Sequence, residues 1–208
     1  MKTIAVFGAT GRTGRPFTEL ALQNGYQVRA LVRDPLKLGL DHSNLLVLQG
    51  DIVDPKAVEE TIRGADAVAL LVGFSPSLKS PAGLRSTAAQ NVVSAMRVLG
   101  VQRLIRLTSF VGAKDPRDKL GLPMKLMLRM FDKAIVADET EAAGIVMGSG
   151  TDWTIVRNAM ITRGGTDGAK AGHVGQGKSS VSASDLAAFI LGALSSGEFT
   201  RKMPFIGS

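Results

Sequence analysis

Short apolar runs alternate along the chain with segments whose apolar residues recur at helical spacing. The runs are rich in aliphatic and β-branched residues and predict strands at Thr3 to Phe7, Tyr26 to Val32, Leu45 to Leu48, Ala67 to Val72, Arg103 to Thr108, Trp153 to Arg157 and, as a last edge strand, Met203 to Ile206. Helices are predicted between them from near Arg12 or Thr13 to Gly25, from Pro55 to Arg63, from Leu84 to Gly100, from about Met124 to Met147 and from Leu186 to Gly197. This alternation predicts a doubly wound α/β fold, a mostly parallel sheet between two layers of helices in a single domain.

The composition is that of one ordinary globular domain. The chain has 208 residues, of which 45% are hydrophobic and 21% charged, which is enough to bury a core. It contains no cysteine, so disulfides, thiolate metal sites and cysteine nucleophiles are excluded. His, Asp and Glu show no metal-ligand spacing, so we expect no metal site.

The expected location is the cytoplasm, without a membrane partner. The longest apolar stretch, Leu186 to Leu194, is far too short for a membrane span. The first residues lead straight into the first apolar run, which ends at Gly8 and is too short for the core of a signal peptide.

The net charge of +7 favours anionic partners, either a nucleic acid or a phosphorylated cofactor. Basic residues are scattered, with a modest cluster from Lys114 to Lys133 that acidic residues dilute and that lacks interleaved aromatic residues. Ordinary surface charge therefore explains this cluster better than nucleic-acid binding does.

A glycine-rich turn follows the first strand and opens the first helix. Its sequence is Gly8-Ala9-Thr10-Gly11-Arg12-Thr13-Gly14. A helix N-terminus offers unpaired N–H groups and a partial positive charge to a pyrophosphate, and glycines let the backbone approach it. The spacing differs from the commonest dinucleotide fingerprint, but its place between strand and helix favours dinucleotide binding over a plain tight turn.

The end of the second strand bears on the choice of cofactor. An acidic residue at this place binds the ribose 2′-hydroxyl of NAD, whereas an Arg accepts the 2′-phosphate of NADP. Asp34-Pro35 has the pattern of a helix cap followed by proline at the first helical position, which leaves Arg33 free for phosphate. Arg12 on the glycine turn and Lys37 are expected nearby. We therefore expect NADP(H) to be preferred over NAD(H).

The order of motifs resembles the atypical short-chain dehydrogenase/reductase superfamily over essentially the whole chain. More narrowly, it resembles the NAD(P)H-binding group that includes NmrA-like proteins and biliverdin-IX-beta reductase (flavin reductase). The pieces that carry the resemblance are the glycine turn with Phe7 before it, Leu31-Val32-Arg33-Asp34, Gly50-Asp51, Asp66-Ala67-Val68, Val72-Gly73, Leu107-Thr108-Ser109, Asp152-Trp153-Thr154-Ile155-Val156-Arg157 and Ser184-Asp185-Leu186-Ala187.

The resemblance implies a Rossmann fold with strand order 3-2-1-4-5-6-7 and a role for each matching residue. Five residues of the turn would hold the pyrophosphate, namely Gly8, Thr10, Gly11, Thr13 and Gly14. Arg33 would contact the 2′-phosphate. Asp51 and Ile52 would flank the adenine, Val72 and Gly73 would lie beside the ribose, and Thr108 and Ser109 would lie near the nicotinamide. Asp51 as a plain turn residue, and Ser109 as a strand-end hydrogen bonder, stay open as alternatives.

Two departures from the superfamily pattern bear on the chemistry. The superfamily's Tyr-x-x-x-Lys pair is absent, because the one tyrosine is Tyr26 in the second strand. Asn158 follows Arg157 where the group usually has proline, which leaves the shape of the pocket loop open. Without a positioned tyrosine, protonation of an unactivated carbonyl is poorly served.

We expect an NADPH-dependent reductase that transfers hydride to a planar flavin-like, quinone-like or other conjugated acceptor, with Ser109 in a positioning role. The alternative is a non-catalytic, NmrA-like protein that senses the redox state of the dinucleotide. The substrate pocket is expected in about residues 110–183. Within it, the glycine-rich stretch from Gly164 to Gly177 fits a lid or a surface loop. The spacing of Met124, Met127 and Met130 fits an ordinary helix core better than a wall for a flat ring, and His173 is more simply a surface residue than a pocket visitor.

Overall fold

Strands and helices alternate along the chain in the computed structural model, which describes residues 2–73, 83–109, 112–113, 118, 132–158, 160–162, 170–172 and 180–207. The described strands are β1 (Thr3–Phe7), β2 (Gln27–Val32), β3 (Leu45–Gln49), β4 (Ala67–Leu70), β5 (Arg103–Ser109), β6 (Asp152–Asn158), β7 (Met160–Thr162), β8 (Lys170–Gly172), β9 (Ser180–Ser182) and β10 (Phe205–Gly207). The described α-helices are α1 (Gly14–Gln23), α2 (Pro55–Ile62), α3 (Leu84–Leu99), α4 (Lys133–Met147) and α5 (Ala183–Ser196).

The main sheet has the strand order β3-β2-β1-β4-β5-β6-β10-β8. Its strands run parallel from β3 to β10, and β8 pairs with β10 in the antiparallel sense. With the C-terminal strand counted as the seventh, the order 3-2-1-4-5-6-7 expected from the resemblance is confirmed. The order reverses between β1 and β4, so a crevice is expected above their carboxyl ends, where open α/β sheets bind ligands.

Two apolar cores lie on the two faces of this sheet. Alternate residues of β1 belong to different cores, because side chains of a strand point to opposite faces. Ile4 and Val6 pack with Phe17 of α1 and Ile190 of α5. The other face holds Ala5 and Phe7 together with residues from α2, α3 and α4, including Val58, Val92 and Val146. Every residue of β1 is buried, as expected of a central strand between two helical layers, and the doubly wound single-domain fold is confirmed.

Aspartate caps mark two of the helix starts. Asp54 accepts a hydrogen bond from the Lys56 N–H at the start of α2. Asp34 accepts one from the Leu36 N–H, and a short 3-10 helix, Pro35–Lys37, follows it. Asp34 therefore has the capping role that its position before proline predicted.

The C-terminal part of the sheet differs from expectation. The last strand was expected at an edge from Met203 to Ile206, but β10 lies between β6 and β8. This happens because β8, from the middle of the glycine-rich stretch, adds outside it. A second, two-stranded sheet of β7 and β9 was not expected either, since strands of three residues leave little periodic signal. Among the described residues, no helix has the length and apolar character needed to cross a membrane.

Candidate functional site

The turn between β1 and α1 is too tight for side chains at two of its glycines. Gly8 has φ +88°, and a Cβ on it would lie 2.8 Å from the carbonyl carbon and oxygen of Leu71. A Cβ on Gly14 would lie 2.0 Å from the Gly8 carbonyl oxygen. The same oxygen accepts a hydrogen bond of 2.9 Å from the Gly11 N–H. The glycines therefore bring the start of α1 directly against the end of β1, with its N–H groups at the carboxyl edge of the sheet.

Thr13 supplies a polar group at this edge that has no partner. It is the N-cap residue of α1, but its side chain makes no capping hydrogen bond. The side chain is only 3% exposed, and its Oγ1 has no hydrogen-bond partner among the described residues. A buried hydroxyl without a partner costs about 1–3 kcal/mol. An anion at the helix N-terminus would accept this hydrogen bond, so the turn fits a pyrophosphate.

Two arginines lie at the same edge, and they differ in the contacts that their guanidinium groups make. Arg12 is exposed, and its Nη1 donates to the Ile161 carbonyl of β7 at 3.4 Å, which links the glycine turn to the small sheet. Arg33 is exposed, and its guanidinium makes no hydrogen bond or ion pair with the described residues. Asp34 and Lys37 are instead engaged locally, 3.8 Å apart and beside the cap. Arg33 is thus the cation at the end of β2 that remains available to a ligand.

The loops after β3 and β4 reach the same edge. Asp51 forms a local turn, in which its Oδ1 accepts from the Val53 N–H at 3.2 Å and its carbonyl from the Asp54 N–H at 3.0 Å. The Ile52 carbonyl accepts from Asn91 of α3 at 2.9 Å. Val72 is half-buried and Gly73 exposed, directly after β4. The structure therefore gives Asp51 a turn role, and the adenine and ribose contacts of these residues stay predictions.

The end of β5 places its two hydroxyl residues differently. Ser109 is half-buried, lies opposite Asn158 of β6, and its hydroxyl has no partner among the described residues. Thr108 is 1% exposed, and its hydroxyl donates to the Glu139 Oε2 at 2.8 Å. Because successive strand residues point to opposite faces, the two hydroxyls lie on different sides of β5, and of the two only that of Ser109 is free.

The one tyrosine of the chain lies at the wrong edge to serve this site. Tyr26 immediately precedes β2, whose first residue, Gln27, pairs with Thr3 at the amino end of β1. The glycine turn follows the carboxyl end of the same strand, roughly 15 Å away along β1. No tyrosine can therefore act as the proton donor beside Ser109.

A buried ionic network behind β5 went unnoticed in the sequence. Glu139 of α4 is 2% exposed; its Oε2 accepts from the Nη2 of Arg106, and its Oε1 lies 2.9 Å from the Nε of Arg85. The neighbouring Asp138 accepts from the backbone N–H groups of Ser86 and Arg85 at 2.9 and 3.1 Å, and so caps the start of α3. Burial alone would raise the pKa of Asp138, but these hydrogen bonds outweigh it and the pKa is lowered.

One signal in the sequence would have indicated this network. Arg106 interrupts a strand whose other middle residues are apolar, and a charge in a buried strand needs a partner. Adjacent acids in the otherwise largely apolar segment of α4 are the obvious candidates.

A third buried arginine contacts several of the segments around the expected pocket. Arg157 is fully buried; its Nε donates to the Met203 carbonyl at 3.0 Å, its Nη1 to the Ala113 carbonyl at 3.3 Å, and it pairs with Asp118. Asn158, the departure from the group pattern, is the last residue of β6. Other expected pocket residues, namely Met124, Met127, Met130, His173 and most of the stretch from Gly164 to Gly177, lie outside the described residues.

The opposite edge of the sheet offers a cavity that fits an anion less well. It has a volume of about 370 Å³, and Arg29 and Arg63 are among its lining residues. Arg29 donates to the carbonyls of Thr61 and Glu60, at the end of α2. Arg63 is paired with Glu59 and Glu60. Both cations are engaged, unlike Arg33.

Comparison with known proteins agrees with the geometry at the carboxyl edge. Residues 8–196 match a family described as NAD(P)H-binding. The chain belongs to this NAD(P)H-binding family. The match covers nearly the whole chain and confirms the resemblance to the atypical short-chain dehydrogenase/reductase group. Within the described residues, no group of three or more His, Asp or Glu is placed to hold a metal ion.

Relatives and solved structures support the same assignment. An uncharacterised chloroplastic protein of Arabidopsis thaliana is 30% identical over 164 residues, which is 75% of this chain and 58% of that protein. A (4-alkanoyl-5-oxo-2,5-dihydrofuran-3-yl)methyl phosphate reductase of Streptomyces griseus is 29% identical over 154 residues, 74% of this chain and 46% of the relative. The chain thus spans about half the length of these relatives. A short-chain dehydrogenase/reductase of Veillonella parvula in complex with NADP shares the fold, with a TM-score of 0.78 over 100% of this chain and 94% of the other at 18% identity.

Proposed function

We propose that this chain is an NADPH-dependent reductase that transfers a hydride to a planar conjugated acceptor, such as a flavin or a quinone. The observation that carries the proposal is the distance between Tyr26 and the carboxyl edge of the sheet. Among the described residues at the end of β5, the available hydroxyl is that of Ser109, whose side chain is neither a strong acid nor paired with one.

This hydroxyl limits the acceptors that can be reduced. Reduction of an isolated ketone leaves an alkoxide, which needs a positioned acid. A conjugated acceptor delocalises the negative charge, so water can supply the proton, and the protein needs only to align the two rings. Ser109 is suited to this alignment, since a hydroxyl can hydrogen-bond the nicotinamide amide or the acceptor.

One relative supports this choice of acceptor. The name of the Streptomyces griseus reductase describes a ring double bond that is conjugated with carbonyl groups. That substrate belongs to the other protein, and only its chemical class is carried over here. The class agrees with a site that lacks a tyrosine acid.

The contacts available at the glycine turn favour NADPH as the hydride donor. Thr13 and the first N–H groups of α1 would hold the pyrophosphate, where a buried hydroxyl lacks a partner. Arg33 would meet the 2′-phosphate, because its guanidinium is exposed and unengaged, whereas Asp34 is occupied as a cap. When bound, NADPH supplies the hydride.

The test is NADPH oxidation with a panel of acceptors. Turnover is expected with FMN, riboflavin or a quinone, and not with a saturated ketone of similar size. Absence of turnover above background with every conjugated acceptor would contradict the proposal. Calorimetry with NADP+ and NADPH would then decide the alternative, because a redox sensor binds the two forms with clearly different affinities and turns nothing over.

A further inference from the structure

We propose that Glu139 is a positioning residue for the candidate hydride-transfer site, acting through Thr108 on the end of β5 that carries Ser109. The inference rests on the proposed function, since it assigns a task to a residue behind that site. It starts from a contact that no sequence motif indicates, the 2.8 Å hydrogen bond from the Thr108 hydroxyl to the Glu139 Oε2.

The end of β5 packs directly against Glu139. The Thr108 hydroxyl also lies 3.3 Å from the Ser109 carbonyl oxygen, which accepts a hydrogen bond of 3.2 Å from the Gly112 N–H. A Cβ on Gly112 would lie 2.5 Å from the Glu139 Cβ and 2.9 Å from the Thr108 Oγ1. Glycine at 112 therefore lets the chain after Ser109 fold back onto the carboxylate and its hydroxyl partner.

The carboxylate itself is fixed by cations on both sides. Arg106 donates to Oε2 from the same strand as Thr108, and Arg85 of α3 lies 2.9 Å from Oε1. Each of the three side chains is 3% exposed or less. Removing one partner from such a buried group leaves an uncompensated charge, so the arrangement resists displacement. The network therefore joins α3, the next described helix after β4, to β5 and α4.

Glu139 is placed to position rather than to donate a proton. Its carboxylate oxygens lie against Arg106, Arg85 and Thr108, on the side of β5 away from the Ser109 side chain. The Thr108 hydroxyl points to the face of β5 opposite the Ser109 side chain, so the two hydroxyls do not form a proton path. The consequence for the reaction is a fixed backbone at Ser109, and with it a fixed direction of the Cα–Cβ bond that carries the Ser109 hydroxyl.

The most direct test removes the hydrogen bond between Thr108 and Glu139 and leaves the charged residues in place. Thr108→Val removes the hydroxyl at nearly constant shape, and Thr108→Ser restores it. Thr154→Val is the matched control, because Thr154 is also a fully buried strand residue with a hydrogen-bonded hydroxyl. That hydroxyl accepts from Arg103 and donates to the Phe199 carbonyl, away from the site. With FMN or a quinone as acceptor, kcat is expected to fall about tenfold in Thr108→Val, to recover in Thr108→Ser and to stay near the original value in Thr154→Val.

Three readouts decide between positioning and other roles. The Kd for NADPH is expected to change by no more than about threefold, because most of the binding energy lies at the phosphates. The pH profile of kcat is expected to keep its shape in Thr108→Val. A kcat equal to that of the Thr154→Val control would overturn the proposal, as would a lost limb of the pH profile or a large loss of NADPH affinity.

A readout without turnover separates this inference from the proposed function. The fluorescence of bound NADPH reports the surroundings of the nicotinamide ring. If the protein binds NADPH but reduces no acceptor, the proposed function fails, while a changed emission in Thr108→Val that Thr108→Ser reverses still supports positioning. Identical emission in all variants overturns the inference. Failure of the unaltered protein to bind NADPH overturns both.

Discussion

Gly14 stands so close to Gly8 that a Cβ on Gly14 would lie 2.0 Å from the Gly8 carbonyl oxygen. No rotamer change can relieve this contact, because both partners are backbone. The first turn of α1 would have to move away from β1, and with it the N–H groups at the carboxyl edge. The contact thus joins the packing of the helix to the geometry of the candidate phosphate site.

Gly14→Ala is therefore expected to destabilise the protein by about 1–3 kcal/mol, as overpacking does, and to weaken NADPH binding more than tenfold. Unfolding in urea and calorimetry would measure the two effects. The control is Gly192→Ala in α5, where a Cβ meets nothing within 4 Å and alanine favours the helix. NADPH affinity unchanged in Gly14→Ala would show that the pyrophosphate binds elsewhere.

Arg33→Ala is expected to weaken NADPH binding by about 1.5–3 kcal/mol, the value of a hydrogen bond to a charged group, and to leave NADH binding nearly unchanged. The reason is the exposed and unengaged guanidinium at the end of β2. Arg63→Ala is the matched control, because it removes the same charge at the opposite edge of the sheet. Equal losses of affinity for NADPH and NADH in Arg33→Ala would show that Arg33 does not contact the 2′-phosphate.

Ser109→Ala is expected to lower turnover about ten- to a hundredfold, which corresponds to roughly 1.4–2.7 kcal/mol of transition-state alignment. NADPH affinity is expected to stay within a few fold. Steady-state kinetics with the best acceptor and a binding titration check the two statements. Complete inactivation of a folded variant would indicate a proton relay through Ser109, and unchanged rates would reduce it to a strand-end residue.

Asp138 makes the free energy of unfolding depend on pH in the acidic range. Burial acts to raise the pKa of its carboxyl, but the hydrogen bonds from Ser86 and Arg85 outweigh burial, and the pKa in the folded protein is below that in the unfolded chain. Such a group stabilises the fold above its unfolded pKa of about 4, and the contribution is lost as the pH falls through the folded value. The free energy of unfolding is therefore expected to fall on acidification below about pH 4.

Asp138→Asn tests this dependence. The variant is expected to be less stable than the unaltered protein at neutral pH, and its stability is expected to decline less steeply below about pH 4. Urea unfolding across the acidic range provides the measurement. Parallel curves for the two proteins would mean that the Asp138 carboxyl has the same pKa in the folded and unfolded states.

The order of strands and helices was predictable because each element carries a local pattern. Thr3 to Phe7 is an apolar run that becomes a fully buried strand, and Leu84 to Leu99 ends at a glycine in the left-handed region, as its pattern predicted. The glycine turn was readable for the same reason, since strand, turn and helix are adjacent in the sequence. The strand order came from the family resemblance, because pairing between distant strands leaves no local trace.

The missed features depend on contacts between distant positions. Arg85 and Asp138 are separated by 53 residues, and Arg106 and Glu139 by 33, so each residue alone reads only as a charge in an apolar context. The expected place of Thr108 near the nicotinamide depended in the same way on a contact between distant positions. Its place at the strand end was right, but the partner of its hydroxyl, Glu139, follows from the packing of α4.

The antiparallel strand β8 changes which strand lies at the outer end of the main sheet. It pairs with β10, which is also paired with β6, so the backbone of β10 has a neighbouring strand on both sides. An unpaired strand edge offers free N–H and C=O groups to another chain, and short edge strands limit such pairing. Because β8 has only three residues, Lys170–Gly172, it leaves a shorter edge than the parallel strands of the sheet would.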